Sequence, residues 1–272
     1  MNEKFKDHIV KALNKNVRMD GRKKDDFRKI TIETGVTCNA EGSARVICGE
    51  TEVIAGIKMA VGTPYPDKSD EGILMTGVEL YPMSNPDFEG GPPREDAIEI
   101  ARVIDRGVRE SGMIDTKKLC ITPGEAVWMV NLDIAPINMD GNLIDIGTIA
   151  ALAALKDAKM PELKNGKPDY KNLSKNPLPV SKNPIEVTVL KIGENLLVDP
   201  TQSEEKLLDA RLTVSVLENS DICAMQKGGN SPLTDKDILE MVDLAIKKSK
   251  ELRKLLWRGN ENGWNWIRRQ IY

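Results

Sequence analysis

Histidine is almost missing: the 272 residues contain one, His8 near the N-terminus. That nearly excludes a Ser-His-Asp triad or a histidine-based metal site, and the expectation is no metal. Cysteine is scarce too. The four, Cys38, Cys48, Cys120 and Cys223, form no C-x-x-C pair, and three sit inside apolar strand-like runs. Reduced cysteines are expected rather than disulfides. No run of about 18 apolar residues occurs, so no membrane span is expected. The opening MNEKFKDHIVKAL carries an acid and lacks a long apolar core, unlike a signal peptide, so a cytoplasmic protein is expected. A basic excess is also lacking. The formal net charge is −3, whereas a nucleic-acid binder acting alone usually carries a strong positive balance. Any contact with nucleic acid must therefore be local or shared with a partner.

What is present fits a globular α/β chain of one large or two small domains, 40% hydrophobic and 30% charged. The stretch VWMVNLDIAPINMDGNLIDIGTIAALAAL, Val127 to Leu155, organises the rest. Trp128, Val130, Leu132 and Ile134 alternate with Val127, Met129, Asn131 and Asp133, the period of a buried strand. Asp140-Gly141 breaks it with a turn. A helix is expected from near Asp145, with Ile146, Ile149, Ala150, Ala153 and Ala154 on one side. A strand, a turn and a thin helix form a natural anion site, because a helix start offers free N–H groups and a positive dipole end. Asp145 suits an N-cap and would repel phosphate.

Around this centre, residues 1–28 are expected to form an N-terminal helix and arm, with Phe5, Ile9 and Leu13 on one side of the helix. A first domain covers 29–160. It opens with a strand at Lys29–Thr34 and a hairpin turning at Cys48-Gly49-Glu50-Thr51. Residues 62–93, rich in Gly, Pro, Asp and Ser around a strand-like Ile73–Met83, read as long functional or interface loops. Pro93 to Gly112 is the clearest helix: Pro93 suits its first turn, Glu95 and Asp96 its positive end, and Gly112 its stop. Ala97, Ile100, Ile104 and Val108 form its inner side, and Arg102, Arg106 and Arg109 share the opposite one. These arginines either form a solvated face, paired with Glu99, Asp105 and Glu110, or hold phosphodiesters. Residues 156–184 lose periodicity, so 161–184 is expected to be a linker. A second domain, 185–257, reads as two hairpins and a long helix, Asp235 to Trp257. The tail, 258–272, carries Trp264, Trp266, Arg268, Arg269 and Tyr272. Aromatics beside arginines can stack on RNA bases, but packing on the chain's own domain is the preferred reading.

Three blocks carry a resemblance: Arg18-Met19-Asp20-Gly21-Arg22, an R-x-D-G-R signature; the run Gly42-Ser43-Ala44-x-Val46-x-x-Gly49-x-Thr51-x-Val53; and the strand, Asp-Gly turn and helix around Gly141. Together they resemble the RNase PH family of phosphorolytic ribonucleases, from about residue 18 to residue 250. The resemblance implies an RNase PH-like α+β fold, two βαβ-type halves with sheets packed on helices. In active members the Asp-Gly turn is followed by Gly or Ser, a Ser/Thr and an Arg, which hold the attacking phosphate. Here Gly141-Asn142-Leu143 follows, a degenerate phosphate site without the hydroxyl–Arg pair. Asp209 could match a catalytic aspartate of the family, but without that pair no catalytic residue is expected.

With the EIARVIDR stretch, Glu99 to Arg106, and the VW-x-V-x-LD stretch, Val127 to Asp133, the chain is similar to the non-catalytic RNase PH-like subunits of the archaeal exosome ring. That resemblance implies a hexamer of three heterodimers with a catalytic sister, single-stranded RNA threading the channel, and RNA-binding cap subunits. It implies no cofactor, with inorganic phosphate used by the sister. Arg102 and Arg106, and less directly Arg109, would contact RNA. Two other classes stay open: a homo-oligomeric, active phosphate-dependent 3′-5′ exoribonuclease, and a small-molecule phosphotransferase. For the second, Glu89-Gly90-Gly91-Pro92-Pro93 is the nearest phosphate loop, and it lacks the Ser/Thr or Lys to complete it.

Overall fold

The computed structural model of the chain describes residues 3–164, 167–256 and 267–268. Helix α1 (Glu3–Asn14) precedes strands β1 (Ile30–Thr34), β2 (Gly42–Cys48), β3 (Thr51–Gly62) and β4 (Ile73–Val78). Helix α2 (Glu95–Glu110) and a 3-10 turn at Thr116–Leu119 lead to β5 (Cys120–Thr122), β6 (Ala126–Asn138) and helix α3 (Leu143–Asp157). Strands β7 (Lys159–Lys164) and β8 (Lys167–Pro177) pair with each other. The second half runs β9 (Ile185–Ile192), β10 (Asn195–Val198), α4 (Gln202–Glu205), β11 (Ala210–Val216), β12 (Ile222–Gly228), α5 (Asp235–Leu256) and β13 (Ile267–Arg268).

The first sheet has the order β13-β1-β2-β3-β6-β4, with β5 also paired to β6. Neighbouring strands in the run β1, β2, β3 and β6 pair antiparallel, and β4 lies parallel to β6. The second sheet is antiparallel, β10-β9-β11-β12. In β6, Trp128, Val130, Leu132 and Ile134 are buried, while Met129 and Asn131 are half-buried and Asp133 is exposed, as the period of two requires.

Helix α3 departs from the one-sided expectation. Every residue from Leu143 to Leu155 is buried. The helix touches β2, β3 and β6 of one sheet and β9 of the other, so each of its sides has an apolar partner. A helix apolar all round belongs inside a core. Its close approach to β2 depends on Gly42, where a Cβ would lie 2.4 Å from the Ala154 carbonyl oxygen. Asp145 is likewise corrected. It sits within the first turn and is fully buried; the N-cap is Asn142, at φ 59°. Asp145 accepts hydrogen bonds from the backbone N–H and the hydroxyl of Thr188, tying α3 to β9. Burial pushes its carboxyl up to about 7, opposed by those bonds. It is a cross-link between layers rather than a cap or a charge that repels ligands.

Helix α1 packs Ile9 and Leu13 against Leu190, Ile192 and Leu197 of the second half, and its Phe5 is exposed. The stretch read as an unstructured linker carries the β7–β8 ladder, because backbone pairing holds a sequence whose lysines, asparagines and prolines have little strand preference. The strand expected to reach Met83 ends at Val78. Of the tail, Ile267 and Arg268 add a short parallel strand beside β1. Trp257, Trp264, Trp266, Arg269 and Tyr272 lie outside the described residues. All four cysteines are free: Cys48 is buried, Cys38 exposed and the other two half-buried. Among the described residues no helix is long and apolar enough to cross a membrane.

Candidate functional site

The site is built where the Asp140-Gly141 turn delivers the chain into α3. Gly141 has φ +81°, and a Cβ there would lie 2.4 Å from the Pro200 carbonyl oxygen, so both backbone angle and space call for glycine. The Thr51 hydroxyl donates to the Gly141 carbonyl at 2.8 Å. Beneath the turn lies a buried ionic cluster centred on Asp199. This residue is fully buried and adopts φ 46°. Arg28 grips it with Nη2 at 2.7 Å and Nε at 2.9 Å, and Arg22 Nη1 adds a third contact at 2.7 Å. Arg28 also donates to the Asp140 carbonyl at 2.8 Å, and Asn142 Nδ2 to Asp199 at 2.8 Å. Burial alone would raise the Asp199 carboxyl, but Arg28 and then Arg22 more than offset it and hold it below the ordinary range.

Arg18, the other arginine of the R-x-D-G-R signature, is buried beside this cluster. It forms a two-point pair with Glu204 at 2.9 and 2.5 Å and donates to the Val198 and Asp199 carbonyls at 2.9 and 2.7 Å. Glu204 also closes a capping box with Thr201 at the start of α4. The signature therefore ties the N-terminal arm to the segment after β10, and Arg28 ties that segment to the turn before α3.

What stands at the start of α3 decides its chemistry. The backbone N–H of Asn142, a donor that an anion would use there, donates to Glu205 Oε1 at 2.7 Å. The chain supplies its own anion. Burial pushes the Glu205 carboxyl up to about 7, opposed by the Asn142 N–H and by Arg211. Leu143 is buried, and neither it nor Asn142 can replace a hydroxyl–guanidinium pair. An adjoining cavity of about 200 Å³ is lined by Asn142, Leu143, Asp96, Glu99, Glu205 and Arg211 among others. Among the described residues that line it, the one basic side chain, Arg211, is paired with Glu99 at 2.7 Å.

Helix α2 presents the three expected arginines. Its inner side is Ala97, Val103, Ile104, Gly107 and Val108; Ile100, expected there, is half-buried. Arg109 is occupied, holding Asp105 through two bonds of 2.8 and 2.9 Å and the Leu74 carbonyl at 3.0 Å. Arg102 and Arg106 are exposed. Arg106 reaches Gln226 at 3.3 Å, and neither forms an ion pair among the described residues. Glu99 turns to Arg211 rather than to Arg102. The helix thus leaves two uncompensated guanidinium groups one turn apart.

Asp209 does not line the cavity. It accepts from Lys6 Nζ at 2.6 Å and from the Gly193 N–H at 2.7 Å, holding α1 on the β9–β10 hairpin. Its carboxyl is lowered, because these donors outweigh the burial that would raise it. The residues that sequence reasoning missed are Arg28, Asp199, Glu204 and Glu205. The Thr201–Glu204 capping-box spacing was the one local signal for them. Among the described residues no group of three or more His, Cys, Asp or Glu side chains converges to hold a metal.

Comparison with known proteins agrees with this geometry. The 3′ exoribonuclease family profile matches over residues 26–161 for its domain 1 and over 182–248 for its domain 2. Exosome complex component Rrp42 of Methanosarcina acetivorans is 46% identical over 93% of this chain and 94% of its own length. The Methanothermobacter thermautotrophicus protein of the same name is 45% identical over 91% and 92%. A chain of the Archaeoglobus fulgidus exosome with RNA bound to the active site superposes with a TM-score of 0.85, at 42% identity, covering 92% of this chain and 96% of that one. A chain of an archaeal exosome core gives 0.81 at 39% identity, covering 92% and 94%. The chain belongs to the RNase PH, or 3′ exoribonuclease, family.

Proposed function

We propose that this chain is a non-catalytic ring subunit of an archaeal exosome. It structures the active site of a catalytic RNase PH-like sister subunit and helps hold RNA for 3′-to-5′ phosphorolysis. One observation carries the reading: the N–H at the start of α3 is taken by Glu205, where an active subunit would need it for phosphate. Phosphorolysis depends on positioning phosphate as the nucleophile. A turn that supplies its own carboxylate and lacks a hydroxyl–Arg pair cannot do so. The sister takes the inorganic phosphate, and the ring of three heterodimers, capped by RNA-binding subunits, works in the cytoplasm. The isolated chain is expected to release no nucleoside diphosphate from RNA in phosphate buffer, and addition of the sister is expected to start 3′-end release. Robust release by the pure chain alone would overturn the reading in favour of an active homo-oligomer.

Arg102 and Arg106 are the RNA contacts in this proposal, because they are exposed and not ion-paired; Arg109, spent on Asp105, contributes less. In the assembled ring, Arg102→Ala with Arg106→Ala is expected to weaken single-stranded RNA binding. The slope of log affinity against log salt should fall by about 1.4, at about 0.7 per phosphate contact. An unchanged slope in a folded ring would return both arginines to a solvated surface.

Asp209→Asn is expected to leave the ring's turnover intact and to cost about 0.5–1.5 kcal/mol of stability through its bonds to Lys6 and Gly193. Loss of a general acid would instead slow turnover by about 100-fold or more, so one rate measurement separates the two roles.

A further inference from the structure

The three arginines on the outer side of α2 are held in three different ways. Arg109 is gripped by the Asp105 carboxylate, which offsets its charge. Arg102 is exposed and has no hydrogen-bond or ion-pair partner among the described residues. Arg106 has a partner, and a neutral one. Its Nη1 donates to Gln226 Oε1 at 3.3 Å, across a crevice between α2 and β12 whose wall includes Val103, Ala224 and Met225. Gln226 is half-buried and sits on a paired strand, opposite Thr213 of β11. Its Nε2 donates to the Lys227 carbonyl at 3.3 Å, which turns Oε1 toward the guanidinium. Both neighbours dictate that orientation of the amide, since a guanidinium only donates and a carbonyl only accepts.

We propose that Gln226 is a positioning residue for RNA binding: it holds the Arg106 guanidinium at the mouth of the crevice without cancelling its charge. The inference rests on the reading of Arg106 as an RNA contact and deepens it. A neutral acceptor suits the task, because a carboxylate in its place would neutralise Arg106 as Asp105 does Arg109. Arginine carries five N–H donors in a planar fork. With Nη1 on Gln226, Nε and Nη2 remain as an adjacent pair for a two-point contact with a phosphate. Fixing a long side chain before RNA arrives removes part of the ordering entropy that binding would otherwise cost. Gln226 is itself a poor phosphate ligand, because its NH2 group is turned to the Lys227 carbonyl and its oxygen is an acceptor. It therefore acts through Arg106. The pair also spans the two halves of the chain, 120 positions apart, so the packing of β12 beside α2 sets where this cation stands.

Binding of a single-stranded oligoadenylate to the assembled ring, followed by fluorescence anisotropy over a range of salt, tests this. Gln226→Ala is expected to weaken binding about threefold, the effect of one side chain losing its preset conformation. The log–log salt slope should stay unchanged, because the charge of Arg106 remains. In an Arg106→Ala background the same substitution should cost nothing further, since the two residues act as one unit. Gln226→Glu keeps an oxygen for Arg106 but adds a charge. It should weaken binding more than alanine does and lower the slope by about 0.7, the share of one phosphate contact. Size-exclusion chromatography checks that each variant enters the ring. Parent-like binding by both Gln226 variants, in a ring that Arg106→Ala weakens, would overturn the proposal and leave the arginine reading standing. Additive losses from Gln226→Ala and Arg106→Ala would also overturn it, since Gln226 would then touch RNA itself. No effect of Arg106→Ala would remove the arginine reading and this proposal with it.

Discussion

Replacing Asp199 by alanine is expected to lower the stability of this chain by about 3–5 kcal/mol, the cost of stripping a buried charge of its partner. On a chain of this size that corresponds to a fall on the order of 10 °C in the melting temperature. Asp199 is fully buried and is the shared counter-charge of Arg28 and Arg22, with four bonds of 2.9 Å or less from those side chains and Asn142. Removing it leaves Arg28 with the backbone carbonyls of Asp140 and Gly141 and, as its remaining counter-charge, the Asp140 carboxylate at 3.4 Å, which is itself 38% exposed. The loss also releases the turn before α3, since Arg28 anchors the Asp140 carbonyl. Asp199→Asn separates charge from geometry: asparagine tolerates the positive φ of 46° at this position and keeps an oxygen for Arg28. Asparagine should therefore recover part of the loss and alanine none. Urea denaturation of both variants checks this, and an alanine cost under about 1 kcal/mol would mean that water replaces the carboxylate without penalty.

The Asp199 cluster was also the part of the molecule least legible in the sequence. Elements whose causes are local were readable. Strand β6 carries its alternation within itself, α2 carries its acidic start and Gly112 stop, and the Gly49-Glu50 hairpin turn lies between two apolar runs. The ionic cluster has no such local cause. Arg28 and Asp199 are 171 positions apart, and Arg18 and Glu204 are 186 apart. Nothing in either neighbourhood states that the other end exists. The R-x-D-G-R block could be recognised as a signature, yet its arginines look like surface turn residues until the second half folds against them.

Helix α3 misled for a related reason. Its alanines and isoleucines can be assigned to one side on a wheel, but both sheets cover it, so no side is left to water. An aspartate near the start of an apolar helix resembles a cap, and the partner that makes Asp145 a cross-link, Thr188, lies 43 residues later. The missing hydroxyl–Arg pair was legible as an absence. That Glu205 fills the vacant donor was not, because it is supplied from across the domain. On the proposed reading the turn is unfit for phosphate in two ways: no hydroxyl–Arg pair follows Gly141, and Glu205 accepts from the Asn142 N–H. Restoring Ser and Arg after Gly141 would still leave Glu205 on the Asn142 N–H.

Raising the pH from about 5 to 8 is expected to weaken the fold by several kcal/mol, and Glu186→Gln is expected to remove much of that loss. Glu186 is 1% exposed in β9, and burial pushes its carboxyl from the ordinary 4.5 up to about 8. The hydrogen-bond geometry accommodates that proton. The Thr148 hydroxyl lies 2.9 Å from the Ile144 carbonyl and 2.6 Å from Glu186 Oε2, and its single hydrogen serves only one of them. A protonated Glu186 resolves this by donating to Thr148, whose own hydrogen then goes to Ile144. Between the unfolded value near 4.5 and the folded value near 8, the native state holds a proton that the unfolded chain has released. Stability from this group is therefore full below about 4.5 and falls with rising pH, by at most about 1.4 kcal/mol per unit. Asp145, raised to about 7, acts in the same direction and adds its own repulsion to Glu186. The Cys223 thiol, pushed up by burial and further by Glu186, stays neutral in this window. Arg106, which shares a crevice with Glu186, is exposed and screened by water. In Glu186→Gln the amide N–H takes over the donation to Thr148 with no proton to lose. The variant should match the parent near pH 5, exceed it by on the order of 2 kcal/mol at pH 8, and show a flatter stability–pH curve between. Urea titrations at four pH values measure the slope directly, and parallel curves for parent and variant would mean that Glu186 is ionised in the folded chain.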